Sequence, residues 1–144
     1  GTMLELDLSQ VKGYPKGFYA KTEPAPHLPI LWVDDYPDNN LKERTALASL
    51  GYSFELATST SEAIDKLRTG AYHAIISDMR RTEGDSAGFD LLEKARSINK
   101  QIPFFIYAWS KEQTDNEEAT RRGAQGSTNT AAELVELVKQ KAPL

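Results

Sequence analysis

From residue 29 onward, short apolar runs alternate with helix-forming segments at near-regular spacing. Ile30–Val33 is a continuous apolar run, and Pro37 suits the first turn of a following helix carrying Leu41, Thr45, Leu47, Ala48 and Leu50 before Gly51. Phe54–Ala57 is a second, less apolar strand, placed by its polarity at a sheet edge. Ser59-Thr60-Ser61-Glu62 has capping-box spacing and opens a helix that directs Ile64 and Leu67 inward and closes at Gly70. Ala74–Ser77 is the third run, followed by a long loop, 79–87, and a helix with Leu91, Leu92, Ala95 and Ile98. Pro103–Tyr107 is the fourth, and Ser110–Gln113 has the spacing to start a polar helix that Gly123 ends. Ala124–Thr128 is a weak fifth, and Thr130-Ala131-Ala132-Glu133 caps an amphipathic last helix with Leu134, Leu137 and Val138. Five strand–helix pairs require an α/β three-layer sandwich on a parallel sheet with right-handed crossovers.

Two of these runs end in aspartate: Val33 leads into Asp34-Asp35, and Ser77 into Asp78. If the two strands are neighbours, three carboxylates meet at the carboxyl edge of the sheet, where open α/β folds place their ligand sites. At about 4 Å and an effective dielectric near 20, each like-charge pair costs roughly 4 kcal/mol. The cluster must therefore raise its own pKa values or recruit a hard, oxygen-seeking cation such as Mg²⁺.

Composition removes other chemistries. The 144 residues suit one domain with a single core. A net charge of −4 argues against nucleic acid as the main partner. The absence of cysteine excludes thiolate metal sites and thiol nucleophiles, and only His27 and His73 could supply imidazole. Neither a Walker lysine loop nor a Gly-x-Gly-x-x-Gly turn is present. No apolar run is long enough to span a membrane and no signal peptide is visible, so a cytoplasmic location is expected. Gly1-Thr2 ahead of Met3 reads as a cloning remnant. Residues 1–28 break the strand–helix rhythm: Pro15, Pro24 and Pro26 fall there with Gly13 and Gly17, and Leu4–Leu8 alternates like a half-exposed strand. This segment is expected to be an arm or linker ahead of a domain spanning 29–144.

The ordered set of Val33-Asp34-Asp35, Asp78, Gly88-Phe89-Asp90-Leu91-Leu92, Pro103 and Gly123-Ala124 resembles the receiver domain of bacterial response regulators over roughly 29–141. The resemblance implies a flavodoxin-like strand order, 2-1-3-4-5, with about five helices. It implies that Asp78 is the phosphoacceptor, that Asp35 and Asp78 ligate Mg²⁺ with the backbone carbonyl of Arg80, and that Asp34 acts through metal-bound water. The expected partner is a histidine kinase, a phosphotransfer protein or an effector, and the chain is not expected to be an enzyme beyond phosphorylation and dephosphorylation of Asp78.

The departures from that family are as informative. Counted from Pro103, the threonine or serine that contacts the phosphoryl group falls on Ala108. Counted from Gly123-Ala124, the lysine that pairs with the phosphorylated aspartate falls on Thr130 and the switch aromatic on Ser127. Ser110 could supply a hydroxyl in another register, and Thr130 has a second explanation as a helix N-cap. The loop 79–87 is about two residues longer than in the family and lacks its proline. Arg80-Arg81 in that loop reads either as a solvated surface pair or as a guanidinium that replaces the lysine against a carboxylate or phosphoryl group. Trp32, Tyr107 and Trp109 read as core or edge packing, with Trp32 expected to report metal binding and Trp109 placed to face a partner. These departures point to an atypical receiver in a phosphorelay, or else a phosphorylation-independent interaction module. A metal-dependent phosphohydrolase is a remote third reading, since Asp34-Asp35 lacks the Asp-x-Asp spacing of the commonest aspartyl-phosphate phosphatases.

Overall fold

The structure, a computed structural model, describes residues 27–110 and 115–144. Five strands, β1 (Ile30–Val33), β2 (Phe54–Ala57), β3 (Ala74–Ser77), β4 (Phe104–Tyr107) and β5 (Gly126–Thr128), form one parallel sheet in the order β2-β1-β3-β4-β5. The helices are α1 (Leu41–Ala48), preceded by a 3₁₀ turn at Pro37–Asn40, α2 (Thr60–Thr69), α3 (Ala87–Ile98), α4 (Asn116–Arg121) and α5 (Ala131–Lys141). The three-layer α/β sandwich expected from the strand–helix rhythm, and the flavodoxin-like strand order that the family resemblance implies, are the ones observed.

Strand alternation sorts the apolar residues into two cores. Leu31, Val33, Ile75, Phe104 and Ile106 face α2 and α3 through Ala63, Ile64, Leu67, Leu91, Leu92 and Ala95. Ile30, Trp32, Ile76 and Phe105 face α1 and α5 through Leu47, Leu134 and Val138. Both faces of the central strands are thus covered, which is why β1, β3 and β4 are apolar runs rather than alternating ones. Ser77 departs from its strand's apolar pattern; its parity places it on the α2–α3 face, and it is fully buried.

Several local expectations change. Leu41 and Leu50 are exposed and only Leu47 of α1 is buried, because the 3₁₀ turn alters the phase of the helix. Ile98 is also partly exposed. The helix expected to open at Ser110 instead begins at Asn116, capped by Asp115, whose side chain accepts from the Glu118 amide; residues 111–114 lie outside those described. β4 and β5 are shorter than their apolar runs, starting at Phe104 and Gly126. Ser59 and Thr130 do cap their helices, accepting from the amides of Glu62 and Glu133. Glu133, however, bonds the Thr128 hydroxyl. Of the arm expected over 1–28, only His27 and Leu28 are among the described residues. No described helix is long and apolar enough to cross a membrane.

Candidate functional site

Register alone brings the acidic residues together. Val33 pairs with Ser77, so the next residues along each strand, Asp34 and Asp78, leave the sheet side by side. Their backbones stay tied, with the Asp78 amide donating to the Val33 carbonyl at 3.1 Å and the Asp34 amide to Ala57 at 3.0 Å. Carboxylate oxygens of Asp34, Asp35 and Asp78 all lie within 4.8 Å of one another. They open into a cleft of about 530 Å³ whose wall also includes Asn40, Glu43, Arg80, Arg81, Thr82, Tyr107, Ala108, Trp109 and Asn129.

Each carboxylate is oriented by a different segment. Asp34 accepts from the Tyr36 amide at 2.7 Å and from the side-chain amide of buried Asn40 at 2.9 Å. Asn40 is itself held by Arg44, which also donates to the Pro37 carbonyl. Asp35 accepts from both the amide and the hydroxyl of Thr82, at 2.8 and 2.7 Å. Asp78 accepts from the Arg81 guanidinium at 2.6 Å. The first turn of α3 is pressed against this aspartate: the Gly88 amide donates to Met79, and a Cβ at Gly88 would come within 2.5 Å of the Asp78 carbonyl oxygen. Only glycine fits there.

The long loop explains the arginine pair. Arg81 and Gly84 exchange backbone hydrogen bonds at 3.0 and 2.9 Å, closing a tight turn that presents Thr82 to Asp35 and drives the Arg81 side chain inward. The surface-pair reading therefore holds for Arg80, which is exposed and 3.3 Å from Asp85, and is corrected for Arg81, whose side chain has no exposed surface. All five guanidinium N–H groups of Arg81 are used. Nη1 donates to Asp78 Oδ1 and Ser77 Oγ, Nη2 to Thr60 Oγ1 and the Ala87 carbonyl, and Nε to Glu83. A buried guanidinium is tolerated only with such full pairing. Ser77 is the one polar residue of its strand because this cation needs it.

Electrostatics follow from burial. Asp78 is pushed up to about 7, first by burial and then by Asp34 and Asp35, with Arg81 opposing. Asp34 is raised by burial and by Asp35, against the Tyr36 and Asn40 hydrogen bonds. Glu83 lies below the usual carboxylate range: burial pushes it up, but hydrogen bonds from Thr60 and Arg81 outweigh that push. The Tyr107 phenol is raised by burial and by its hydrogen bond to Glu43.

Three oxygen donors this close fit a hard divalent cation that keeps several waters, as Mg²⁺ does. Of the substituted positions singled out by the family pattern, only one reaches the cleft. Ala108 lines the cleft and has no hydroxyl to offer. Thr130 is exposed, outside the cleft wall, and is the α5 N-cap. The cleft instead receives Asn129 from the end of β5. Ser127 is buried with its hydroxyl unpartnered, and Ser110 is not part of the wall. Sequence reasoning missed Asn40, Thr60, Glu83 and Asn129. The first three act as ligands of other side chains, and the Arg81-x-Glu83 spacing within one turn was the only trace of that network.

Residues 30–140 match the response regulator receiver domain family. Among curated proteins, the chain is 31% identical over 96 residues to the sensor protein EvgS of Escherichia coli O157:H7, covering 67% of this chain and 8% of that protein. It is 35% identical over 78 residues to EvgS of strain K12, covering 54% and 6%. The chain thus spans less than a tenth of these relatives. Among solved structures, a two-component response regulator from Clostridium difficile superposes with a TM-score of 0.67 at 25% identity, covering 79% of this chain and 94% of that one. A CheY-like receiver domain protein from Methanospirillum hungatei gives 0.66 at 23%, covering 81% and 94%. The Thermotoga maritima response regulator TrrA, solved in complex with Mg²⁺-BeF, gives 0.67 at 22%, covering 78% and 97%. With its strand order, acidic edge and matched length in agreement, the chain belongs to the response regulator receiver domain family of two-component signalling.

Proposed function

We propose that this chain is an atypical receiver in which Asp78 accepts a phosphoryl group beside a Mg²⁺ ion held by Asp34, Asp35, Asp78 and the backbone carbonyl of Arg80. The observation that carries this reading is the meeting of three carboxylates within 4.8 Å at the mouth of an open cleft. A bound Mg²⁺ supplies charge neutralisation for the phosphoryl oxygens. Asp78 forms the new O–P bond while the donor's P–N bond to a phosphohistidine breaks, the ring nitrogen keeping the electron pair. Arg81 holds the Asp78 carboxylate in one orientation, so its reactive atom is positioned before a donor arrives. Gly88 and the ladder bond from the Asp78 amide to the Val33 carbonyl fix the backbone around it.

Counted along the sequence, Ala108 and Thr130 take the places of the family's hydroxyl and lysine, and on that count the readout of phosphate, rather than its acceptance, is the altered step. The donor or listener in this reading is a histidine kinase, a phosphotransfer protein or an effector. The named relatives are sensor proteins, which supports a signalling setting; a cytoplasmic location is part of the same proposal. The competing reading, a phosphorylation-independent interaction module, draws on the same substitutions and on the ion pair that Asp78 already makes.

Incubation with acetyl phosphate and Mg²⁺, followed by intact-mass and peptide mass spectrometry, separates the two. The expected result is a phosphoryl adduct on Asp78 that Asp78→Asn abolishes. A wild-type chain that stays unmodified, while a known receiver is labelled in the same tube, would favour the interaction module.

A further inference from the structure

The hydrogen bonds of Arg81 divide into two groups. Asp78 Oδ1 and Ser77 Oγ lie at the carboxyl end of β3. The other three acceptors lie at the first turns of α2 and α3 or in the loop between β3 and α3. Thr60 Oγ1 accepts from Nη2 at 2.5 Å, the Ala87 carbonyl accepts from Nη2 at 3.2 Å, and Glu83 accepts from Nε at 3.0 Å. Glu83 also accepts the Thr60 amide with both oxygens, at 3.1 and 3.2 Å. One rigid, planar cation therefore ties the aspartate to two helix N-termini.

On the other side of the pocket, three positions offer the acidic cluster no polar side-chain connection. Ala108 has no hydroxyl, the Ser127 hydroxyl is buried without a partner, and Thr130 caps α5 in the open. β4 and β5 reach the acidic cluster through no charged side chain at these three positions.

We propose that Arg81 is the phosphate-sensing residue of this chain, and that it passes the state of Asp78 to the first turns of α2 and α3 instead of to β4 and β5. This inference rests on Asp78 being the phosphoacceptor. Phosphorylation by acetyl phosphate forms an O–P bond at Asp78 and breaks the donor's P–O bond, acetate leaving with the electron pair. A carboxylate of one negative charge becomes an acyl phosphate of about two near neutral pH. The guanidinium follows the added charge and, being planar, cannot move Nη1 without moving Nη2 and Nε. Its bonds to Thr60, Glu83 and Ala87 lengthen or exchange together, and the two helix starts shift with them.

The test uses the full chain with Mg²⁺ and beryllofluoride, followed by amide NMR, with ¹⁹F signals reporting the adduct. In the wild type the amides of Thr60, Glu83 and Gly88 shift along with those next to Asp78, while those of Thr128 and Ala131 stay. Thr60→Val keeps the adduct and loses most of the α2 shift, and Thr60→Ser restores it, an on–off pattern that a purely structural hydroxyl does not produce. Arg81→Lys loses both helix responses; if that variant does not fold, the Thr60 pair still decides. An adduct whose shifts appear on β4 and β5 but not at Thr60 and Gly88 overturns the relay and leaves the phosphoacceptor reading standing. No adduct in the wild type overturns both.

Discussion

Replacing Arg81 with methionine keeps most of the buried side-chain volume and deletes the charge and five donors. Three of the lost bonds end on groups that water cannot easily reach: Ser77 and Ala87 are fully buried and Thr60 is 7% exposed. Taking one hydrogen bond from each of these buried groups costs about 1 kcal/mol apiece, roughly 3 kcal/mol together. The remaining two bonds end on carboxylates with some access to solvent, Asp78 at 12% and Glu83 at 35%. Partial resolvation brings their loss below the full 3–5 kcal/mol of a broken buried pair, to about 1–2 kcal/mol. Arg81→Met is therefore expected to destabilise the chain by about 4–5 kcal/mol near pH 8 in EDTA, about 15 °C in Tm for a domain of this size.

Urea unfolding followed by circular dichroism measures the difference, and Mg²⁺ divides it. A divalent cation compensates the charge lost beside Asp78 and not the three neutral acceptors, so millimolar Mg²⁺ should recover only about 1–2 kcal/mol. Asp78→Asn in the Arg81→Met background should cost less than the two single changes added, because the pair shares one interaction. A variant within about 1 kcal/mol of wild type in EDTA would refute the buried-fork account. So would complete recovery in Mg²⁺, since the neutral acceptors would then contribute nothing.

Other outcomes follow from the same geometry. Asp78 is raised from 3.8 to about 7, so between these values the folded state holds a proton that the unfolded state has lost. In EDTA, stability should fall as pH rises through this window, by up to about 4 kcal/mol, and Mg²⁺ should flatten the curve; a metal-free curve that rises from pH 5 to 8 contradicts the assignment. Gly88→Ala drives a Cβ to 2.5 Å from the Asp78 carbonyl oxygen and should cost about 3 kcal/mol in urea unfolding. Gly126→Ala meets only the flexible end of Leu137 at 2.9 Å and should cost about 1 kcal/mol or less; equal losses would show that neither site is governed by contact with backbone. Mg²⁺ should alter the fluorescence of Trp109, which lines the cleft, and not of Trp32, which packs against Phe54 and Tyr107 in the other core. The response should vanish in Trp109→Phe and persist in Trp32→Phe.

Why some of this could be read in the amino-acid order and some could not has a physical basis. Strand identity follows from period, which acts along the chain; the strand order came from the family resemblance, and once β1 and β3 are neighbours the Asp34–Asp35–Asp78 cluster follows from the carboxyl-edge rule. The α1 interior was misjudged because the 3₁₀ turn at Pro37–Asn40 changes the angular phase of every later residue, and a heptad-like pattern carries no mark of that change. The start of α4 was misjudged because Ser110 and Asp115 both offer a capping side chain, and only tertiary context selects Asp115. Trp32 was expected to sense the metal from its place in sequence, but strand alternation turns its ring to the α1–α5 face.

Arg81 shows the limit most clearly. Two adjacent arginines in a polar loop have the same composition-level meaning, and one is solvated while the other is the most fully bonded side chain of the site. What separates them is the turn closed by the paired backbone hydrogen bonds between Arg81 and Gly84. The lysine expected from β5 would be a point charge on a flexible stem, reaching one acceptor at a time. A buried guanidinium is a plate with five fixed directions. Exchanging one for the other leaves the local charge unchanged but alters which parts of the fold register the state of Asp78. On the proposed relay, a pocket whose cation comes from the α2–α3 side places no demand on β4 and β5 to supply another.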